Sequence, residues 1–588
     1  MKTPKADLLI ESSFEVCNKV GGIYTVVSSK AALMKEAYSD YLLVGPYFQD
    51  KAVSELEQES PPDYLKQVFE ELSAEGISCF YGTWKIKGEP KVILIDFRSK
   101  LFEADSIKTR LWESYGIDSL FSGYDFVEPM VWSWCVGRLV EKISNHTDKK
   151  IVSHFHEWLA GFSILYLKLN NVPVKTIFTT HATMLGRTIS GCGDPLYSMI
   201  ETMNPEEEAK RRGVNNKFTT ERACANACDI FTTVSEITGY EAEKILGRKP
   251  EVLVLNGLEI QKFPTFEELC VKRSFAKRKL NDFLSYYFKP YYNVDLKNCL
   301  NFFTFGRNEY KNKGVDLFIK SLSQLNQRLQ DENSKREVFA FFFIPCNASS
   351  VRTELAESKN KLDGIKSLLK KNNDGINENL LNSLLSDEDL RIENVFEKDL
   401  TGELKKQAAS FRKESDPPQS THYMHDEDNE EILRAFKEFN LFNRSSDNVK
   451  VILYPIYLSE NDGILNMGIY DLLSAADLGV FPSYYEPWGY TPLESAAMGV
   501  PAITTDLAGF GRYVQNKNEK GGVFVLNRNG VSEEQSIQEF VEIMHSFVKM
   551  DKHEIVNQKI FAKEISKLAD WSVLIDNYIE AHNKAMEK

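Results

Sequence analysis

Two glutamates stand eight positions apart in the run YEPWGYTPLESA, residues 485–496: Glu486 and Glu494. Pro487 and Gly489 turn the chain between them. Thr491, Pro492 and Glu494 read as the N-cap, N1 and N3 positions of a helix with a capping box and a proline in its first turn. A helix start reached through a glycine turn offers free backbone N–H groups and the positive end of the helix dipole, which suits a diphosphate. Glu486 then lies on the lip of that turn, beside whatever group the diphosphate carries. The plainer reading is a capping glutamate next to a surface acid, and this segment by itself does not separate the two.

Three further clusters carry usable charge. Lys19-Val20-Gly21-Gly22 follows an apolar strand at 8–10 and precedes a helical run over about 23–36. Paired glycines let a backbone approach a phosphate closely and Lys19 adds charge, although a lysine beside two glycines is more often just a turn. In GRNEYKNKG, Arg307 and Lys313 come directly after the strand-like run 301–305. A guanidinium fork and an ammonium point charge there could clamp a departing diphosphate, against the plainer reading of a solvated basic loop. The third cluster is histidine-rich: His154, His156 and Glu157 end a strand in SHFHEWLAG, and His181 and Arg187 follow another in TTHATMLGR. His154 and His156 share one face of their strand, but no third ligand of matching spacing is evident, so the pattern predicts a polar wall without a metal. Alone, His181 reads as a core histidine; its place at a strand end, before a loop, turns it toward a cleft.

These groups need elements to position them. Short apolar runs alternate with helical stretches at 41–44, 92–95, 176–179, 230–234 and 251–255, then restart at 301–305, 338–344, 451–454, 478–481 and 502–504. This is the pattern of a doubly wound α/β sheet, twice over, and two such domains facing each other make a cleft. The expected division is an N-terminal domain at 1–265, a second domain at 266–565, and a C-terminal helix at 566–588 carrying Leu568, Trp571, Leu574 and Tyr578. Two segments break the rhythm as insertions, about 262–298 and 347–445. In the second, Val351, Leu355, Leu362, Ile365 and Leu369 fall as on one helix face, a stripe for the parent domain or for another subunit. The stretch 413–431 reads as a mobile loop. Asp387/Asp389 and Asp426/Asp428 have a spacing that can hold a metal-bound nucleotide, but their solvated surroundings favour plain surface acids.

Composition narrows the class. A chain of 588 residues with 43% hydrophobic and 27% charged residues has ample material for deep cores. Its formal charge of −14 argues against a nucleic-acid or anionic-membrane partner, so a polyanionic ligand must be met by local cations. The nine cysteines are scattered, and Cys224 with Cys228 has helical rather than zinc-knuckle spacing, so a reduced, cytoplasmic setting is expected. Lys2 and Lys5 precede only a short apolar stretch, which predicts neither a signal peptide nor a membrane span.

Taken in order, FEVCNKVGGIYTVVSSKA, HFHEWLAG, TIFTTHATMLGR, FTTVSEIT, LNGLEI, FGRNEYKNKG and YYEPWGYTPLESAAMGVPAITTDLAG resemble the eukaryotic, UDP-glucose-type glycogen synthase family, from about residue 8 to 575. The resemblance implies a GT-B fold: two Rossmann-like domains with the active site between them, and a C-terminal helix crossing back to the N-terminal domain. It implies retaining transfer of glucose from UDP-glucose to the nonreducing 4-hydroxyl of an α-1,4-glucan, with no metal and no cofactor. By the same resemblance, Arg307 and Lys313 clamp the donor phosphates, and Gly21 and Gly22 form a phosphate loop with Lys19 beside it. Tyr490 stacks on uracil, Glu494 holds the ribose hydroxyls and Thr491 contacts a phosphate. Glu486 is the acid near the reacting sugar, His181 and Arg187 line the same pocket, and His156 and Glu157 are expected on the acceptor side.

The resemblance also implies a homo-oligomer, tetrameric in family members, built through the helical insertions, and leaves open a glycogenin-like primer protein as partner. One departure bears on regulation. Family members carry an arginine-rich helix that senses glucose-6-phosphate and tail phosphorylation, whereas residues 553–571 here contain no arginine and only Lys559, Lys563 and Lys567 as cations. The chain also reaches Lys588 without a long Ser/Arg-rich tail. The expectation is an enzyme active without glucose-6-phosphate and not controlled by tail phosphorylation. Two rivals stand beside this reading: another GT-B transferase making sucrose, trehalose or a protein-linked glycan, and a catalytically silent glucan-binding scaffold. Intact Glu486, Arg307 and Lys313 speak against the scaffold.

Overall fold

The computed structural model describes residues 1–386, 391–518 and 520–588. One sheet has nine strands, in spatial order Leu56–Gln58, Ser78–Trp84, Lys91–Asp96, Asp40–Pro46, Leu8–Ser12, Ile151–His156, Lys175–Thr180, Ile230–Thr233 and Val252–Leu253. The first two junctions are antiparallel and the others parallel. Leu8, Leu9 and Ile10 are fully buried, as expected of a central parallel strand covered by helices on both faces. Chain order reverses between Leu8–Ser12 and Ile151–His156. At such a reversal the flanking helices go to opposite faces and leave a crevice beyond the carboxyl ends of the two strands. The KVGG loop and Glu157 both emerge there.

The other large sheet is entirely parallel: Val449–Tyr454, Glu337–Phe343, Cys299–Phe305, Leu478–Val480, Ala502–Thr505 and Val523–Leu526. Numbered along the chain, this is the strand order 3-2-1-4-5-6 of dinucleotide-binding domains. Its reversal lies between Cys299–Phe305 and Leu478–Val480, so GRNEYKNKG and YYEPWGY leave the sheet side by side. Phe302, Phe303, Phe339, Phe341 and Phe342 fill the core and hold those two strand ends rigidly.

The last helix, Trp571–Glu587, lies against the nine-stranded sheet. Trp571 Nε1 donates to Ser29 Oγ at 2.7 Å, and Tyr578 and Ile579 are fully buried. Gly257 makes this approach feasible, since a Cβ there would stand 2.4 Å from the Trp571 ring. No helix among the described residues is long and apolar enough to cross a membrane.

The insertions differ in part from the expectation. Residues 262–298 contain the helix Phe266–Phe288, started by a capping box between Thr265 and Glu268 and packed through Leu280, Phe283 and Tyr287 onto the phenylalanine core. In the helix Thr353–Lys371, Leu355 is buried and Leu362 packs on the same core, whereas Leu369 faces solvent. Val351 packs on that core too, but from a strand rather than the helix: its backbone pairs with the strand His422–Met424. The stretch 413–431 is not a free loop either. Thr421 N–H donates to Leu453 O at 3.0 Å, Pro418 O accepts from Tyr287 and Asn443, and His422 is buried. The unpaired edge of Val449–Tyr454 offers backbone partners that a polar, proline-marked segment can use, which composition alone does not reveal. Asp387 and Asp389 lie outside the described residues; Asp426 and Asp428 are exposed acids beside Asn429 and Lys437.

Candidate functional site

On the second domain the two switch-point loops meet through charge. Lys313 Nζ donates to Glu486 Oε2, and both side chains remain about one-fifth exposed. Trp488 braces the turn beyond Glu486, buried against Phe510 and Tyr513 at 6.0 and 5.8 Å between rings. Gly489, at φ +109°, is the N-cap of the helix Tyr490–Ala497, and no side chain caps it. The expected capping box from Thr491 to Glu494 is therefore corrected. Glycine reaches a backbone conformation that other residues avoid, so the helix begins at Tyr490 and its first-turn N–H groups stay available to an anion. Glu494 instead accepts from the Tyr470 hydroxyl at 2.8 Å, and burial pushes its carboxyl up to about 7. Tyr490 is half-buried, its hydroxyl 3.3 Å from Gly257 O on the first domain. Thr491 is half-buried next to it. Arg307 does not reach Glu486: it is 78% exposed and pairs with Glu309 at 2.9 Å.

The first domain supplies a wall of buried polar groups. His181 Nε2 lies 3.0 Å from His156 Nδ1, and His156 Nε2 lies 2.6 Å from Glu11 Oε1. Glu11 also accepts from Lys30 Nζ and from the Tyr41 hydroxyl, each at 2.5 Å. Burial alone would raise the Glu11 carboxyl, but the Lys30 ammonium and the His156 hydrogen bond hold it well below the usual carboxylate range. A second chain runs from the Tyr38 hydroxyl to His582 Nδ1 at 2.8 Å, His582 Nε2 to His154 Nδ1 at 3.1 Å, and His154 Nε2 to Thr179 Oγ1 at 2.6 Å. Burial lowers the basicity of His154, His156, His181 and His582, so these imidazoles are neutral.

Glu157 follows with φ +63°, a strained conformation for a residue with a Cβ. Its Oε1 accepts from the backbone N–H of His181 at 2.8 Å and of Ala182 at 3.3 Å. Glu221 accepts from Met184 N–H, and Glu241 from the N–H and hydroxyl of Thr183. Three carboxyls thus converge on the N-terminus of the helix Met184–Gly191, whose N-cap is Thr183. Burial raises Glu157 to about 7 against the Arg187 charge and Glu241 to about 7, and burial beside Glu157 also holds Glu221 well above the usual carboxylate range. Arg187, one turn along that helix, is exposed, and the Glu157 charge raises its already high pKa.

The two walls also touch beside Glu486. Tyr485, immediately before Glu486, donates its hydroxyl to Glu241 Oε1 at 3.1 Å and stacks on Tyr197 at 6.4 Å. The Thr238 hydroxyl reaches Pro487 O at 3.4 Å. Beside this junction is a cavity of about 330 Å³ lined by Asp194 and Tyr197 from one domain and Lys311, Tyr484 and Arg528 from the other.

Glu486 and Lys313 thus stand next to the interdomain contact of Tyr485 with Glu241, Tyr490, Thr491 and Glu494 follow at the start of the next helix, and His181 is buried against His156 on the first domain. His156, at the end of its strand, and Glu157, which opens the following helix, are both buried and hydrogen-bonded to His181, His156 through its ring and Glu157 through the His181 backbone N–H. The glycine loop is partly used already: Gly21 N–H and Tyr24 N–H donate to Glu15 Oε2 at 2.7 and 2.9 Å, while Lys19 is exposed, 5.7 Å from the Tyr24 ring centre. A third group does accompany the histidine pair, contrary to the reading from spacing. Glu11, His154 and His156 offer ligand atoms within 4.8 Å of one another. Sequence spacing missed it because Glu11 comes from a neighbouring strand. The donor set does not suit a cation, since Lys30 already neutralises Glu11 and the histidine nitrogens are hydrogen-bonded.

Sequence reasoning overlooked Glu11, Lys30, Glu15, Glu241, Tyr470 and His582. Glu11 and Lys30 carried a signal, each a charge inside an otherwise apolar strand or helix face; the others carried none.

Against known proteins, residues 11–588 match the family described as glycogen synthase. This chain belongs to the glycogen synthase family. It is 35% identical over 612 residues to glycogen [starch] synthase isoform 2 of Saccharomyces cerevisiae, covering 99% of this chain and 86% of that one. It is 32% identical over 587 residues to the liver glycogen [starch] synthase of Homo sapiens, covering 99% and 84%. The catalytic domain of starch synthase IV from Arabidopsis thaliana, bound to ADP and acarbose, superposes with a TM-score of 0.51 at 13% identity, covering 99% of this chain and all of that one. The fold is GT-B, and a glycogen synthase is a glucosyltransferase.

Proposed function

We infer that this chain transfers glucose from UDP-glucose to the nonreducing end of an α-1,4-glucan with retention at the anomeric carbon. What supports this reading is membership of the glycogen synthase family together with the Lys313–Glu486 pair on the second domain, next to Tyr485, whose hydroxyl reaches Glu241 on the first. The uncapped N-terminus of Tyr490–Ala497 receives the donor diphosphate, and Lys313 with Arg307 neutralises the charge that grows on departing UDP. Glu494 and Tyr470 hold the ribose, and Tyr490 meets the base. Glu486 orients Lys313 and stabilises positive charge on the sugar; the leaving phosphate takes the acceptor proton on the same face. His181 and Arg187 close the sugar pocket, with Lys19, Gly21 and Gly22 at its rim. No metal is needed in this scheme, because Lys313, Arg307 and a helix terminus do the electrostatic work.

We further propose a homo-oligomeric, cytoplasmic enzyme. Leu381, Leu384, Leu385 and Ile392 expose apolar surface on the helical insertion, which supports self-association, and nine free thiols support a reducing compartment.

The test is glucose incorporation into glycogen by the purified chain, with UDP-glucose and ADP-glucose side by side, with and without a chelator. UDP-glucose turnover that survives chelation is the expected result. Incorporation from neither donor would return the weight to another acceptor or to a silent scaffold.

A further inference from the structure

The buried wall behind His181 has a direction, set by which atoms can donate. Thr232 Oγ1 lies 3.1 Å from Phe178 O, and a hydroxyl can only donate to a carbonyl. Thr179 must then donate to Thr232 Oγ1, 2.6 Å away, and must accept from His154 Nε2–H. His154 Nδ1 is left as an acceptor for His582 Nε2–H, and His582 Nδ1 for the Tyr38 hydroxyl. This chain is complete without Glu11.

The other chain is anchored by Glu11, whose carboxylate can only accept. It receives Lys30 Nζ, the Tyr41 hydroxyl and, at Oε1, His156 Nε2–H. A neutral His156 then has a lone pair on Nδ1, so the 3.0 Å contact with His181 is a donation from His181 Nε2–H. His181 Nδ1 is bare, with no partner among the described residues. It is the one ring nitrogen of this network that a bound molecule can meet.

We propose that Glu11, acting through His156, fixes His181 as the Nε2–H tautomer, so that His181 Nδ1 presents a lone pair to the crevice and accepts a hydroxyl proton of the bound glucosyl group. Glu11 and His156 are thus positioning residues: both are buried and neither touches substrate. The sugar pocket is selective for a hydroxyl at that point, because a site with only a lone pair gains nothing from a carbonyl or an ether there. This rests on the glucosyl-transfer reading only for the identity of the ligand; the tautomer is a property of the chain itself.

Two measurements keep these apart. The first is ¹⁵N magic-angle-spinning NMR of histidine-labelled protein, with His181→Ala used to assign the His181 signals. The expected wild-type result is a protonated Nε2 and an unprotonated Nδ1 on His181. Glu11→Leu/Lys30→Met removes the acceptor together with the ammonium it neutralises, and should move His181 toward the opposite tautomer. Glu11→Gln/Lys30→Met keeps an acceptor carbonyl and should restore the wild-type pattern, which loss of packing alone would not do. Should the leucine chain fail to fold by circular dichroism, His156→Phe takes its place.

The second is transfer from UDP-glucose and from its 2-, 3-, 4- and 6-deoxy analogues. One deoxy donor should lose about tenfold in kcat/KM with wild type, the scale of one hydrogen bond, and that penalty should shrink in Glu11→Leu/Lys30→Met and return in Glu11→Gln/Lys30→Met. A wild-type His181 protonated on Nδ1, or a tautomer unchanged by removing Glu11, overturns the proposal even in an active enzyme. An inactive wild type with the expected tautomer overturns the substrate reading alone.

Discussion

The two walls of the crevice are built in opposite ways. On the first domain His181 is held by a buried chain ending in Glu11 and Lys30, and Glu157, Glu221 and Glu241 tie down the helix that carries Arg187. On the second, Lys313 and Glu486 are partly exposed, bonded mainly to each other, and Arg307 stands in solvent beside Glu309. A buried hydrogen-bonded group keeps its geometry whether or not a ligand arrives, whereas exposed ion pairs re-form readily around a new anion. The sugar side is prepared in advance and the diphosphate side is completed by the donor.

That contrast is sharpest at the chemistry. Lys313→Ala and Glu486→Ala should each lower kcat by about 10²–10³, the scale for losing one electrostatic partner of the transition state. Single-turnover transfer by folded variants checks this, and near-normal turnover in Lys313→Ala would remove it from the clamp. Arg307→Ala should cost about tenfold in kcat/KM with stability unchanged, because its side chain leaves solvent only when donor binds. In solution scattering, UDP should contract wild type more than Arg307→Ala; no contraction in either would contradict a donor-completed wall.

The buried acids set a smaller effect on stability. Glu157 and Glu241 have carboxyls raised from 4.5 to about 7, so between those values the folded chain holds protons that the unfolded chain has released. Their contribution favours folding at the acid end of that window and is lost as pH rises through about 7. Glu241→Gln should flatten the fall in denaturation midpoint between pH 5 and pH 7.5, on the order of 1 kcal/mol after coupling to Glu221 and Glu157. An unchanged slope would mean that Glu241 is ionised in the fold.

The smallest expected effect is regulatory. Lys559 donates to Ala476 O at 2.9 Å and lies 3.8 Å from Asp477, and Lys563 donates to Pro264 O and Ala497 O. Lys567 pairs with Glu564. Lys559 and Lys563 thus clamp the helix Lys552–Ser566 to its neighbours while Lys567 makes only an exposed local pair, so glucose-6-phosphate should change kcat/KM less than about twofold, within the range of one weak exposed ion contact. Strong activation would overturn the reading.

Sequence by itself determined the residue types and their order: two doubly wound sheets, apolar strands ending in charged loops, and motifs whose succession resembles one family. The strand ends were legible because parallel strands buried on both faces read as continuous apolar runs, and the residues after them, Glu157, Arg307, Lys313 and Glu486, are where a crevice must open. Tertiary structure decided everything that depends on neighbours from distant segments. Glu11 meets His156, His582 arrives on the last helix beside His154, and Tyr485 finds Glu241 across the domains, at separations of 145 to 428 positions that no local spacing encodes. It also decided local competitions that look even in one dimension. Gly489 starts the helix ahead of Thr491, and 413–431 docks on a strand edge, because backbone groups take whichever partners the folded chain brings within reach.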